Sequence, residues 1–269
     1  MTDGAAPSGP ARPPDARARY GGHPDQVADV YLPAPLAEPA PVVMALHGGF
    51  WRQAYDRSHL APFAEAVAAS GHVVVSVEYR RVGGDGGWPA TFDDVAAACT
   101  QLPALVADVA PVAVALRDDG TPRVVLVGHS AGGHLALWAA TSCPPRGLDA
   151  VVALAPVADL ATAWRLGLSD DAVGALLGGP PSRWPERYAA ADPSALPAPR
   201  VSTTVVHGRA DDVVPLDISR RYVDAVAGGR AAGGRGTVDL VEADCGHFEL
   251  IDPSSTPIFT LIMEKLRSR

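Results

Sequence analysis

One serine in the chain, Ser130, stands in a setting that would activate it. The segment GHSAGG around it follows the apolar run Val124–Val127 and precedes the helical run His134–Ala140. A G-x-S-x-G segment between a strand and a helix makes a tight turn that leaves the serine hydroxyl exposed, and the helix N-terminus supplies N–H groups for a developing oxyanion. The pattern predicts Ser130 as the nucleophile of an acyl-transfer reaction.

A second segment would hold the negatively charged oxygen of such a reaction. HGGFW begins at His47 and directly follows the apolar run Val42–Leu46. A Gly-Gly turn at the end of a strand leaves backbone N–H groups free to point at a substrate oxygen, and with the N–H of Ala131 they would form an oxyanion hole. We interpret His47 itself as a residue that braces this loop.

A serine hydroxyl also needs a general base and a carboxylate that orients the base. His247 follows the apolar run Val238–Val241 and a flexible glycine, and it is the last histidine of the chain, so we expect it to be the base. The apolar run Val201–Val206 leads into HGRADDVVP, which contains two adjacent candidates for the carboxylate, Asp211 and Asp212. The residues alone leave both open.

The sequence contains no pattern that indicates a metal site or a bound cofactor. It contains neither H-x-x-x-H nor H-E-x-x-H, and its three cysteines, Cys99, Cys143 and Cys245, are widely spaced and form no C-x-x-C pair. The only lysine, Lys265, stands near the C-terminus, which argues against Schiff-base chemistry.

The elements that would position these residues alternate along the chain. Short β-branched runs, several of them continuously apolar, predict strands covered on both faces of a parallel sheet. The longer Ala/Leu-rich stretches between them predict helices, of which the one starting at Thr91 is expected to break or kink at Pro103. Such alternation predicts a three-layer α/β fold. The predicted strands are Val27–Leu32, Val42–Leu46, Val73–Val77, Val124–Val127, Ala150–Leu154, Val201–Val206 and Val238–Val241.

The domain organisation follows from changes in composition. Residues 1–20 are rich in Pro, Ala and Arg and predict a flexible tail, and residues 21–269 predict a single domain. Prolines, glycines and two tryptophans interrupt the strand–helix rhythm at about residues 156–200, which we interpret as a small cap over the carboxyl edge of the sheet. The Gly-rich stretch Gly228–Gly236 predicts a mobile surface loop.

Charge and hydropathy exclude several kinds of partner. The 22 basic residues are outnumbered by 30 acidic ones, which argues against binding to nucleic acid or to an anionic membrane. No apolar run approaches membrane-spanning length, and the N-terminus does not have the pattern of a signal peptide. We therefore expect a cytoplasmic monomer or homodimer that acts on a small molecule, an ester or a formamide.

Four segments together, HGGFW, GHSAGGHLA, HGRADDVVP and CGHFELID, resemble the α/β-hydrolase superfamily over roughly residues 20–269. Within it, the chain looks most like the kynurenine formamidase (arylformamidase) branch and related small esterases. The resemblance implies the α/β-hydrolase fold, a mostly parallel central sheet with helices on both faces and a small cap insertion. It also implies Asp211 as the acid, four residues after the histidine of H-G-x-x-D-x-x-V-P, and Gly49 and Phe50 as the oxyanion donors of the HGG turn.

Three functions remain as hypotheses. The first is an arylformamidase that acts on N-formylkynurenine, and the second is a short-acyl carboxylesterase. The third, a non-catalytic binding module on the same fold, is disfavoured by the complete set of Ser130, Asp211 and His247. Four tryptophans are candidates to stack on an aromatic substrate, although each could equally fill the interface between cap and core: Trp51, Trp88, Trp164 and Trp184.

Overall fold

One eight-stranded sheet organises the chain in the computed structural model, which describes residues 12–35, 38–228 and 236–267. The strands are β1 (Ala16–Arg19), β2 (Val27–Tyr31), β3 (Val42–Leu46), β4 (Val73–Val77), β5 (Val124–His129), β6 (Leu148–Leu154), β7 (Ser202–Gly208) and β8 (Val238–Ala243). Their order across the sheet is β1-β2-β4-β3-β5-β6-β7-β8. The pairs β1–β2 and β2–β4 are antiparallel, and all the others are parallel.

Burial explains why the inner strands read as continuous apolar runs. Every residue of β3 and β4 is buried, because helices cover both faces of the sheet. The helices are α1 (Ala61–Ala69), α2 (Ala90–Val109), α3 (Ala131–Ser142), α4 (Leu160–Arg165), α5 (Leu168–Leu177), α6 (Pro185–Ala191), α7 (Leu216–Gly228) and α8 (Thr256–Arg267). The predicted α/β-hydrolase fold is confirmed.

Two core layers lie on opposite faces of the sheet. Buried side chains of α2, α3 and α7 form one layer with one set of alternating strand residues. Buried side chains of α1 and α8 form the other layer. None of the helices in the described ranges is long and apolar enough to cross a membrane.

The N-terminal prediction needs a correction. Residues 1–11 lie outside the described part, but residues 12–20 do not behave as a tail, because Ala16–Arg19 form β1 at the edge of the sheet. The Tyr20 side chain is buried, and its hydroxyl donates to the backbone oxygen of Glu78. Arg17 also pairs with Asp29 across the two antiparallel strands, with 2.7 Å between Nε and Oδ1.

Helix α2 is not broken at Pro103, where we expected a break or kink. The helix instead continues from Ala90 to Val109 with Pro103 inside it. Proline removes one helical hydrogen bond, but Leu102 and Val106 on either side of it are fully buried in the core. Packing of this face therefore outweighs the lost bond.

The segment between β6 and β7 contains three short helices, α4, α5 and α6, where the cap was predicted. Its contacts with the rest of the fold include the Trp88 N–H, which donates to the Leu176 oxygen at 2.8 Å, and the Arg52 guanidinium, which donates to the Ser169 oxygen. Its role as a cap stays a prediction. Most of the predicted loop Gly228–Gly236 lies outside the described residues.

Candidate active site

The turn that carries Ser130 is strained and tightly packed. Ser130 has a φ of 56° and a ψ of −118°, a backbone conformation that side chains rarely adopt. Glycines on both sides make this possible: a Cβ on Gly128 would lie 2.1 Å from the Gly132 oxygen, and one on Gly132 would lie 2.0 Å from the Leu46 oxygen. The spacing of G-x-S-x-G is therefore required by contact between the turn and neighbouring backbone.

Ala131 directly follows the serine as the first residue of α3. The N–H groups in the first turn of a helix have no acceptor within the helix, so the Ala131 N–H is available to an oxygen bound near Ser130. The HGG turn lies against the same place, since a Cβ on Gly48 would sit 3.1 Å from the Ser130 Cβ. The structure thus brings two predicted parts of the oxyanion hole together.

The HGG turn is itself a run of left-handed backbone. Gly49, Phe50 and Trp51 have φ values of 99°, 48° and 56°. The left-handed conformation costs about 1–2 kcal/mol for each non-glycine residue, which the surrounding packing must offset. The turn closes with Arg52 N–H donating to the Gly49 oxygen at 3.0 Å, and no acceptor in the described residues takes the N–H of Gly49 or Phe50.

The buried side chain of His47 supports this turn through contacts with Tyr79 and Glu78. Its ring is fully buried and stacks on Tyr79, with 4.3 Å between ring centroids. Its Nε2 lies 2.9 Å from Oε1 of Glu78, and the Tyr79 hydroxyl donates to the His47 backbone oxygen at 2.7 Å. The prediction that His47 braces the loop is confirmed.

A buried hydrogen bond joins the predicted base and acid. The Nδ1 atom of His247 lies 2.7 Å from Oδ2 of Asp211, and both side chains are almost completely shielded from solvent. The other carboxylate oxygen, Oδ1, accepts the N–H groups of Val213 at 2.9 Å and Val214 at 2.8 Å. Asp211 thus has a partner on each oxygen.

These contacts decide the charge of the acid. Burial alone would raise the pKa of Asp211, but hydrogen bonds from His207, His247 and the Val214 N–H outweigh it and hold that pKa well below its ordinary value. Asp211 is therefore a carboxylate at neutral pH. The neighbouring Asp212 is exposed to solvent, so the structure brings Asp211 rather than Asp212 to His247.

His207 is a site residue that the sequence reasoning did not identify. It is fully buried, and its Nε2 lies 3.2 Å from Oδ2 of Asp211 and 2.8 Å from the Val214 oxygen. Its Nδ1 lies 2.7 Å from Oγ of Ser219. The HG at the start of HGRADDVVP was the available signal, because β7 ends at these two residues.

His129 links the serine turn to the base. Its Nε2–H donates to the backbone oxygen of His247 at 3.1 Å, and the two ring centroids are 4.5 Å apart. Burial first, and the neighbouring imidazoles second, lower the pKa of His129 well below its ordinary value, so the ring is neutral. Ser130 therefore lies one residue from a direct contact with the predicted base.

All of these residues meet at one edge of the sheet. The HGG turn follows β3, Ser130 follows β5, Asp211 follows β7 and His247 follows β8, and the carboxyl ends of parallel strands lie together. Ser130 and His247 are 2% and 3% exposed. No group of three His, Cys, Asp or Glu residues in the described ranges is arranged to hold a metal ion.

Comparison with protein families gives one match that covers most of the chain. The family model described as BD-FAE matches residues 28–225, which include the serine turn, the HGG turn and the acid. The chain belongs to the BD-FAE family. It is therefore an α/β-hydrolase of that family, whereas its resemblance to the arylformamidase branch stays a prediction.

Individual relatives of this BD-FAE family member include two curated proteins and many solved structures. Esterase LipC of Mycobacterium tuberculosis is 28% identical over 265 residues, 89% of this chain and 61% of LipC. The non-reducing polyketide synthase Preu3 of Preussia isomera is 37% identical over 131 residues, 46% of this chain and 5% of that protein. A truncated carbohydrate esterase from gut microbiota shares the fold with a TM-score of 0.73 at 18% identity, over 98% of this chain and 99% of that one.

The predicted substrate-stacking tryptophans occupy different environments in this BD-FAE protein. Trp51 is fully buried with its ring edge-on to His134 at 5.1 Å, so neither of its faces is open to solvent. Trp88 is half-buried and packs edge-on to Phe92. Trp184 carries the Arg187 guanidinium 3.7 Å above its ring. A stacking role stays a prediction for these residues and for Trp164, which packs half-buried against the core.

Helix α3, which begins after Ser130, connects the candidate active site of this BD-FAE family member to the segment between β6 and β7. The Nε2 atom of His134 lies 2.9 Å from the Ala191 oxygen, and Nε1 of Trp138 donates to the Ala190 oxygen at 3.0 Å. These two side chains stand one turn apart on the helix that begins after Ser130. Burial lowers the pKa of His134 to about 4, so its ring is neutral at physiological pH.

Proposed function

We propose that this chain is a serine ester hydrolase that works through an acyl-enzyme. Ser130 is the nucleophile, His247 the general base, and Asp211 the carboxylate that orients the base. The observation that carries the proposal is the buried 2.7 Å contact between His247 Nδ1 and Asp211 Oδ2, formed beside the strained turn that holds Ser130. Relatives named as esterases support an ester as substrate.

Acylation begins with a proton transfer from Ser130 to His247. The hydrogen bond between His247 and Asp211 determines which ring nitrogen of His247 can take this proton. Because Asp211 is a carboxylate, it accepts, and Nδ1 of His247 carries the hydrogen. The neutral ring then has its lone pair on Nε2, the atom that takes the proton of the Ser130 hydroxyl as the oxygen attacks the substrate carbonyl. Asp211 stabilises the imidazolium that results.

The tetrahedral intermediate places a negative charge on the former carbonyl oxygen. We assign its stabilisation to the N–H groups of Gly49, Phe50 and Ala131, at the HGG turn and the start of α3. Each such donor typically lowers the barrier by about 3–4 kcal/mol. His247 then protonates the leaving alcohol, and a water molecule activated by the same ring releases the acyl group from Ser130.

Deformylation of an arylformamide is the second candidate function. The resemblance of HGGFW, GHSAGGHLA and GHFELID to the arylformamidase branch supports it. The same groups would act, with His247 protonating the departing aniline nitrogen. The acyl group would then be formyl, the smallest one that Ser130 can carry.

The test compares kcat/KM of the purified chain for a p-nitrophenyl butyrate ester and for N-formylkynurenine, with Ser130→Ala as the blank. We expect ester turnover that Ser130→Ala reduces by about 10⁵–10⁶-fold. A ratio that strongly favours N-formylkynurenine would select the second candidate. Activity of Ser130→Ala within tenfold of the unmodified chain, on either substrate, would refute the assignment of the nucleophile.

A further inference from the structure

Both ring nitrogens of His47 face oxygens that accept hydrogen bonds. The Nδ1 atom lies 2.8 Å from the backbone oxygen of Gly48, and Nε2 lies 2.9 Å from Oε1 of Glu78. A neutral imidazole has a single N–H, whereas an imidazolium donates from both nitrogens. A neutral His47 would therefore leave one nitrogen lone pair against an acceptor oxygen, in a position fully shielded from solvent.

Glu78 is a carboxylate and so cannot supply the missing hydrogen itself. Burial alone would raise the pKa of its 2% exposed side chain, but the contact with His47 and the nearby Arg81 outweigh burial and lower that pKa. Its oxygens also accept backbone N–H groups, Oε1 from Tyr79 at 3.0 Å and Oε2 from Arg57 at 3.1 Å. Every one of these partners donates to Glu78, which is the arrangement that favours its charged form.

The arginines around Glu78 leave its charge available to His47. Arg81 has a second carboxylate partner in Asp25, with 3.3 Å between Nη2 and Oδ2, and Arg57 has one in Asp29, with 2.7 Å between Nε and Oδ2. The His47 ring also lies almost parallel to the ring of Tyr79, at an angle of 8°. An aromatic face attracts a cation placed above it, so this stack favours the charged ring as well.

The Gly48 oxygen that accepts from His47 belongs to the same peptide group as the N–H of Gly49. In a trans peptide the C=O and the N–H point in opposite directions, so this N–H points away from the His47 ring. No acceptor in the described residues takes it. A hydrogen bond to the carbonyl oxygen of a peptide polarises the whole group and makes its N–H a stronger donor.

We propose that His47 is an imidazolium paired with Glu78, and that this pair strengthens the Gly49 N–H as a donor to the oxyanion. The inference rests on the proposed function, because the oxyanion forms only when Ser130 attacks a carbonyl. Glu78 and His47 are positioning residues, since they act on the substrate oxygen through the Gly48–Gly49 peptide. Their charges are in place before the reaction begins, so they need no rearrangement when the oxyanion forms.

The kinetic test uses Glu78→Gln, which keeps the size of the side chain and removes its charge. We expect kcat for p-nitrophenyl butyrate to fall about tenfold, less than the roughly 10²–10³-fold loss caused by removing a whole oxyanion donor, while KM changes little. Glu65→Gln on α1 makes the same substitution elsewhere and, as the matched control, should leave kcat within about twofold.

A trifluoromethyl ketone separates this effect from a loss of folded protein. Its adduct with the Ser130 oxygen carries an oxyanion, so its inhibition constant should rise in Glu78→Gln by the factor by which kcat falls. A merely structural role would lower the folded fraction and leave the inhibition constant unchanged, which would overturn the proposal.

A double-mutant cycle tests whether Glu78 acts through His47. His47→Gln should lower kcat further than Glu78→Gln does, and the double variant should lose no more than His47→Gln alone. Additive losses would show that Glu78 acts by another route.

Nitrogen NMR of the chain labelled with ¹⁵N-histidine measures the charge of His47 without any substrate. At pH 8, where an ordinary histidine is neutral, we expect one ring with hydrogens on both nitrogens, and we expect Glu78→Gln to abolish its signal. Absence of such a ring from the unmodified chain, or its persistence in Glu78→Gln, would overturn the inference. Full activity of Ser130→Ala would instead refute the proposed function and leave the NMR result standing.

Discussion

The Nε2 atom of His207 lies 3.2 Å from Oδ2 of Asp211, the same carboxylate oxygen that His247 contacts. Nε2 also faces the Val214 carbonyl, which can only accept, so this nitrogen carries a hydrogen and donates toward the acid. Ser219 fixes the other side of the ring at 2.7 Å. The acid is therefore held between two histidines, one predicted to exchange protons and one buried behind it.

Replacement of His207 tests this arrangement. His207→Leu removes a donor to a buried carboxylate, and hydrogen bonds to charged groups contribute about 1.5–3 kcal/mol, so we expect kcat/KM for p-nitrophenyl butyrate to fall about tenfold or more. KM should change little, because His207 contacts the acid and not the substrate. The acidic limb of the pH profile of kcat/KM should also move, because the Asp211 carboxylate that faces His247 loses one of its hydrogen-bond donors.

A purely structural role for His207 predicts another result. The variant would then lose thermal stability, but its remaining folded fraction would have the kcat and the pH profile of the unmodified chain. Circular dichroism melting beside the kinetics distinguishes the two. An unchanged kcat and an unchanged pH profile would show that His207 does not position the acid.

The choice between two adjacent carboxylates gives a second prediction. Asp211→Asn keeps the shape of the side chain but removes the acceptor that sets the hydrogen on Nδ1 of His247, so kcat should fall by roughly 10⁴-fold. Asp212→Asn changes an exposed side chain next to it and should leave kcat within about twofold, because surface substitutions away from special contacts have small effects. Steady-state kinetics with the same ester measure both, and a larger loss in Asp212→Asn would reverse the assignment.

Much of the fold could be predicted from the sequence because its inner strands are buried on both faces. Continuous apolar runs located β3 and β4 with their correct bounds. The edge strand β1 was missed because its residues, ARAR, alternate between partly buried and exposed positions and carry no apolar run. Pairing with β2, which the local sequence does not reveal, makes it a strand.

The candidate site divides in the same way. The placement of Ser130 and His247 at the sheet edge could be predicted because a turn or loop of special composition follows a strand at each of them. The contacts of His207 with Asp211 and of His129 with His247 could not, since they depend on the distances between strand ends that the fold brings together. Asp211 could be separated from Asp212 only by resemblance, whereas the structure separates them by burial.

The neutral ring of His134 predicts how stability depends on pH. Its pKa is about 4 in the folded chain, against about 6.5 in an unfolded one. Below pH 6.5 His134 binds a proton in the unfolded chain but stays neutral in the folded chain. The free energy of unfolding therefore falls as the pH decreases from 6.5 to about 4. This single group should lower the free energy of unfolding by about 2 kcal/mol between pH 7 and pH 5.

The variant His134→Gln isolates this contribution, because glutamine does not titrate and its amide can still donate to the Ala191 oxygen. We expect urea unfolding at pH 7 and pH 5 to show a smaller pH-dependent loss in His134→Gln than in the unmodified chain, even if the variant is less stable at both values. Gln101→Asn, at an exposed position on α2 that does not titrate, serves as the control and should keep the full loss. An equal loss of stability in His134→Gln and in the control between the two pH values would contradict this prediction. It would mean that burial does not keep the His134 ring neutral in the folded chain.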